Sequence, residues 1–151
     1  MTILNYVSIF LITYCLSTSY FLGYTPLIVS VLYILVSLLT FLTYFRDKHA
    51  AQKGSWRISE NILHVFSLFC GWPGAIIAQQ KFRHKTKKVS FRFVFWITVL
   101  VNSGGLIWLH TSEGSSYLHN YTSEIEKLIM SEISEGKSRN TLFALLKFQT
   151  Y

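Results

Sequence analysis

Charge is what the first third of this chain lacks: no Asp, Glu, Lys or Arg occurs before Arg46. Over all 151 residues only 14% are charged, whereas a soluble domain usually carries about 25%. Hydrophobic residues make up 51% and aromatic ones 17%, so the missing charge points to lipid as the solvent. Cysteine is nearly absent as well. Cys15 and Cys70 both sit in apolar runs, with no second thiol or histidine at zinc-ligand spacing. They read as buried inert thiols, and neither a metal nor a cofactor is expected. The N-terminus also lacks the marks of a secretory signal. Met1 to Asn5 carries no positive charge, and no small-x-small site precedes a polar mature region, so the first segment is expected to remain as an anchor.

What charge there is lies in one band. Between Arg46 and Arg92 ten Lys and Arg face only Asp47 and Glu60, a local charge of +8. Beyond it four basic residues face five acidic ones, so the net +7 belongs to the middle of the chain.

The apolar runs around this band predict an all-α integral membrane protein of helical hairpins, with three or four spans and a C-terminal amphipathic helix. Ile3 to Leu22 matches the hydrocarbon thickness at about 1.5 Å per residue. Gly23 to Pro26 breaks the pattern, with Pro26 suited to the first turn of a new helix, and Leu27 to Phe45 gives a second, antiparallel span. Tyr20, Tyr24, Tyr44 and Phe45 mark the expected interfaces. Arg46 to Ser59 reads as a loop or short surface helix. Ser59 reads as the N-cap of a third apolar segment, Glu60 to Gln79, interrupted at Gly71-Trp72-Pro73-Gly74. Lys81 to Arg92 is the densest basic run, and Phe93 to Leu109 is a fourth apolar stretch.

The third segment leaves two topologies open. Basic loops favour the cytoplasm, and both of its flanks are basic. Either the segment crosses and strands one basic flank outside, or it enters, turns at Gly71 to Gly74 and returns to the same side. In either case an even number of crossings precedes Arg46, which places the N-terminus in the cytoplasm. The tail after His110 differs. Ser123 and Glu126 read as a capping box, Ile125, Leu128, Ile129 and Ile133 share a helical face, and Gly136 reads as the stop. A second, shorter helix is expected over Leu142 to Phe148. The organisation is thus a membrane domain over 1–110 and an amphipathic tail over 111–151, lying on the membrane or on a partner.

Several blocks in fixed order carry a resemblance. Asp47-Lys48-His49-Ala50-Ala51, followed by Gly54-Ser55-Trp56-Arg57-Ile58-Ser59-Glu60, resembles the DKxxA and G-x-WRIPE signature of the bacterial membrane family called domain of unknown function 1294. Leu63-His64, Gly71-Trp72-Pro73-Gly74-Ala75, Gln79, Phe82 to Lys88, Phe91, Phe95-Trp96 and Asn102 continue it, so the resemblance covers about 41–109. Ser59 stands where the family usually has proline, and Cys70 where it often has glycine. The resemblance implies a multi-pass protein of the bacterial inner membrane. Some relatives carry an N-terminal cold-shock domain, a loose link to nucleic acid. The family has no established activity.

Within the band, Arg57, Arg83, His84, Lys85 and Lys88 are the candidates for holding an anionic headgroup. Each Lys or Arg near an anionic leaflet contributes about 1 kcal/mol. The plainer reading is an anchor that only sets orientation. Asp47 and Glu60 read as carboxylates for Arg57 or Arg83, clamping the band together. Glu60, His64 and His84 are the only candidates for proton transfer, since intramembrane ionisable groups are functional candidates by default. For His64, a hydrogen bond to Glu60 or a backbone carbonyl is the commoner outcome. Asp47, Lys48, Trp56, Gly71, Trp72, Pro73 and Gly74 form the structural motif, and Asn102 is expected to bond against another helix. The leading functional reading is non-enzymatic, an accessory or sensing protein engaging anionic lipid or a phosphorylated ligand. Alternatives are a membrane-embedded enzyme acting on a lipid phosphate, transport through a homo-oligomer, and a nucleic-acid-linked accessory role. No nucleic-acid-binding module is visible to support the last.

Overall fold

The computed structural model of the chain describes residues 2–82, 88–132 and 137–148. Its elements are helices throughout, with no strand among the described residues: α1 (Thr2–Phe21), α2 (Leu27–Lys53), α3 (Glu60–Phe66), α4 (Trp72–Phe82), α5 (Val89–Trp108), α6 (Ser112–Glu132) and α7 (Lys137–Leu146). Three stretches, Leu27–Lys53, Glu60–Phe82 and Val89–Trp108, are long and apolar enough to cross a membrane, and Tyr6–Phe21 is a shorter apolar helix. Leu35, Leu38 and Leu39 on α2 and Phe93, Leu100 and Val101 on α5 are bare. Apolar surface on this scale calls for a cover other than water.

Contacts group the chain into two units, 1–11 with 32–104 and 12–31 with 105–151. In the second unit both connections are tight. Gly23 takes φ 74°, the N–H groups of Tyr24 and Thr25 donate to the Ser19 carbonyl, and the Ser19 and Thr25 hydroxyls bond at 2.8 Å. After α5 only three residues intervene before α6. Thr111 Oγ1 accepts from the Gly114 N–H at 3.2 Å, so the N-cap is Thr111 and not Ser123. Ser123 lies inside α6, its hydroxyl turned back onto the Asn120 carbonyl at 2.7 Å. No helix breaker between Thr122 and Glu126 gives a capping pair a terminus to act on. Tyr117, Tyr121, Ile125 and Leu128 form an exposed stripe along α6, while Gly136 and Ile133 lie outside the described residues.

The first unit contains the charged band. Here α2 does not stop at Phe45 but runs on to Lys53, so Arg46 to Lys53 is helix where a loop was one of the two expectations. Nothing before Gly54 breaks it, and Ala50, Ala51, Gln52 and Lys53 are all good helix formers. Tyr44 is not an interfacial ring. It is fully buried, its hydroxyl accepts from Gln79 Nε2 at 3.3 Å, and its ring packs edge-on against Phe91.

Between α3 and α4 the chain reverses. Phe69 (φ −87°, ψ 64°) and Cys70 (φ 65°, ψ 0°) leave the helical region, one residue before Gly71 and three before Pro73. Cys70 is the one described non-glycine residue with positive φ, a conformation that costs an L-residue roughly 1–2 kcal/mol. Glycine would adopt this conformation without that cost. Pro73 falls in the first turn of α4, where its missing N–H is harmless.

The contacts of the two arms show where they go. The Glu60 carboxylate bonds Lys88 Nζ at 2.7 Å, and the His64 ring lies 4.3 Å from Phe91, so α3 starts beside the start of α5. At the far end of α4, Phe82 packs on Phe41 and Phe45, and Lys81 Nζ sits 5.7 Å above the Phe41 ring. Both ends of 60–82 therefore lie at the C-terminal half of α2. The turn lies deep, against Tyr33, Ser37 and Asn102. An arm such as Glu60 to Gly71 covers at most about 18 Å at 1.5 Å per residue, well short of the roughly 30 Å of a hydrocarbon core.

Two features seat this hairpin. The first is close approach: a Cβ on Gly74 would overlap the Ser37 backbone, and one on Gly71 would overlap Thr40 Oγ1 and the Phe66 carbonyl. The second is Asn102 on α5. Its Oδ1 accepts from the Tyr33 hydroxyl and from Trp72 Nε1 at 3.1 Å. Its Nδ2 donates to the Leu68 carbonyl at 2.8 Å. Ser37 Oγ donates to the Cys70 carbonyl at 3.4 Å. One amide thus joins α2, the break, α4 and α5. Asn102→Leu should lower stability in mixed-micelle denaturant titrations by roughly 2–4 kcal/mol, because it strands two donors and a carbonyl at depth. A loss below about 0.5 kcal/mol, the scale of an ordinary surface change, would refute the bridging role.

Candidate functional site

The end of α2 is shaped by a helix cap and a buried carboxylate. Gly54 takes φ 64°, and the Ser55 N–H reaches back to the Ala50 carbonyl at 3.1 Å, the six-to-one bond of a Schellman cap. The chain then doubles back along the helix. Asp47, with a side chain 0% exposed, catches it: Oδ1 accepts from the Ile58 N–H at 3.2 Å, and Arg57 Nε stands 3.7 Å away. Arg57 does not form the bidentate fork its chemistry allows, and 52% of its side chain is exposed. Ser59 then caps α3, its Oγ accepting from the Ile62 N–H at 3.4 Å, so serine supplies the helix start without proline.

The returning segment walls off a cleft of about 330 Å³. Phe45, Arg46, His49 and Lys53 line one side, spaced so that they share a helical face. Ser55 and Trp56 line the other. The Trp56 ring is 97% exposed, a large indole held out from the protein. Phe45 and His49 rings lie 4.4 Å apart. Among the described residues no acidic side chain lines the cleft, since Asp47 is turned inward.

The sequence candidates therefore separate. Asp47, Arg57, Glu60 and Lys88 are brought to one end of the hairpin as two ion pairs. Among the described residues, Glu60 is engaged by Lys88. Lys48 is half-buried, and His64 lies one turn along α3 against Phe91. Gly71, Trp72, Pro73 and Gly74 are at the turn, away from the cleft. Arg83, His84 and Lys85 lie outside the described residues. Among the described residues no group of three or more His, Cys, Asp or Glu gathers at metal-binding distance. Sequence reasoning passed over Arg46, His49 and Lys53 as site residues. Their i, i+3, i+7 spacing is a signal only once Arg46 to Lys53 is known to be helical.

The profile of a protein family of unknown function, DUF1294, matches residues 37–91. The uncharacterized protein YsdA of Bacillus subtilis (strain 168) is 37% identical over 67 residues, 44% of this chain and 75% of that protein. The chain belongs to the DUF1294 family. No solved structure matches it. The region shared with DUF1294 begins at Ser37, where Gly74 touches α2, and ends at Phe91, the ring beside His64 and Tyr44. It thus contains the whole hairpin and the cleft, and leaves α1, α6 and α7 outside.

The Asp47 contacts differ in weight. A half-exposed arginine at 3.7 Å contributes at most about 1 kcal/mol, whereas a buried backbone N–H on a carboxylate is the stronger bond. Asp47→Ala should cost about 1–3 kcal/mol, Arg57→Ala under about 1 kcal/mol, with Asp47→Asn between wild type and Asp47→Ala. Thermal unfolding in detergent would measure all three. Equal losses for Asp47→Ala and Arg57→Ala would mean that the ion pair, and not Ile58, carries the latch.

Proposed function

We propose that this DUF1294 member is a non-enzymatic inner-membrane protein whose basic cytoplasmic face binds anionic lipid headgroups or a phosphorylated ligand. The observation that carries this reading is the Glu60–Lys88 pair at 2.7 Å. It ties the start of α3 to the residue before α5, so two basic stretches on either side of an apolar 23-residue segment share one end of α2. In this reading α1, α2 and α5 cross the membrane, and α3 and α4 form a re-entrant hairpin from the cytoplasmic side. Non-helical backbone at depth is tolerated only where protein covers it, and Asn102, Ser37 and the glycine contacts are that cover. The N-terminus is then cytoplasmic and the tail after α5 lies on the opposite side, which places both basic stretches where positive loops belong.

Single-cysteine variants at Ser55 and Val89, in a background with Cys15 and Cys70 replaced by serine, test the topology. Both positions should react with a membrane-impermeant maleimide in inside-out vesicles and neither in right-side-out vesicles. Labelling on opposite sides would remove the shared face. For function, protein extracted from mixed phosphatidylcholine–phosphatidylglycerol membranes should retain phosphatidylglycerol in excess. Arg83→Ala with Lys85→Ala should reduce that excess, each side chain contributing about 1 kcal/mol. Retention matching the bulk lipid ratio would refute the reading.

A further inference from the structure

The densest cations of the band are in the run around Arg83 to Lys88, and a cleft in the described band lies apart from them, at the end of α2. We infer that the cleft between the last turns of α2 and the returning segment is a phosphate-ester site, in which Arg46 and Lys53 hold the phosphate and Trp56 covers the ligand's carbon backbone. The inference rests on the headgroup reading above and assigns it a place.

Three observations support it. The volume, about 330 Å³, is at the small end of ligand pockets, enough for a glycerophosphate-sized group. Among the described residues the lining carries Arg46, Lys53 and His49 with no carboxylate, and Asp47 beside it is fully buried and already accepts from Ile58. An anion is therefore needed to balance cations gathered along one helix face. Finally, Trp56 has almost no contact with its own chain, which is costly for an indole in water but ordinary at a membrane interface, where tryptophan concentrates. Phe45, part-exposed below the cations, continues that apolar wall toward the span. Phosphate above and apolar surface below is the order of groups in a phospholipid.

The test uses full-length protein labelled with 5-fluorotryptophan in phosphatidylcholine nanodiscs, where Trp56→Phe assigns one of four fluorine resonances. Phosphatidylglycerol added to the bilayer, or sn-glycerol 3-phosphate added to the buffer at constant ionic strength, should shift the Trp56 signal and leave the buried Trp72 signal in place. A shift with the lipid alone identifies a headgroup site, and a shift with the soluble ester identifies a phosphorylated small ligand. Arg46→Ala with Lys53→Ala should weaken the response about thirtyfold, about fivefold per cation, with the Trp72 signal reporting an intact fold. The inference is overturned if neither compound moves Trp56, or if the double variant responds like wild type. Phosphatidylglycerol retention that persists alongside a silent Trp56 would remove this cleft alone. Loss of retention would remove the headgroup reading with it.

Discussion

A break inside a buried apolar helix leaves carbonyls without an intrahelical partner, and each costs several kcal/mol if left bare. Here the break at Phe69 and Cys70 creates that problem, and the answer comes from neighbouring helices. Asn102 bonds the Leu68 carbonyl, Ser37 bonds the Cys70 carbonyl, and the other end of the Asn102 amide collects Tyr33 and Trp72. The same side chains that satisfy the turn also fix its depth. About 21 Å of helix separates Asn102 from Lys88, as it separates Tyr33 from Asp47, so a turn pinned at Asn102 and Tyr33 leaves its two arms only one place to emerge.

That return creates an electrostatic imbalance. Cations from both sides of the hairpin meet at one end of α2, while the two acids of the band are occupied locally, Asp47 by Ile58 and Arg57, Glu60 by Lys88. Like charges at this density repel, and the repulsion is relieved by counter-ions from outside the chain. At a cytoplasmic membrane surface the abundant fixed counter-ions are lipid phosphates. On the proposed reading, anion binding follows from the hairpin geometry and needs no separate recognition motif.

Much of the architecture was legible in the residues. The charge-free start, the breaks at Gly23 to Pro26 and at Gly71 to Gly74, and the cap at Ser59 each have a local physical cause, and a local cause can be read from sequence. Periodicity over an uninterrupted apolar run is equally informative. What was not legible depended on partners distant along the chain. Tyr44 has the composition of an interfacial ring and becomes buried only because Gln79, thirty-five residues on, comes back to meet it. Likewise the Ser123–Glu126 pair has a capping spacing, but a cap needs a terminus, and Thr111 had already started that helix.

The band itself was read by density, which favoured the run around Arg83 to Lys88. Density measures attraction at long range, whereas a site also needs walls. At the end of α2 the walls come from one inward-facing carboxylate. Asp47 draws Ile58 against the helix, the segment between them arches over Gly54, and the hollow under the arch falls on the helix face that carries Arg46, His49 and Lys53. Because Asp47 points inward, it shapes the hollow without neutralising it. In the proposed site a buried acid is thereby the part of the basic band that turns a surface charge into a binding geometry, and the exposed indole of Trp56 would be where that geometry opens toward lipid.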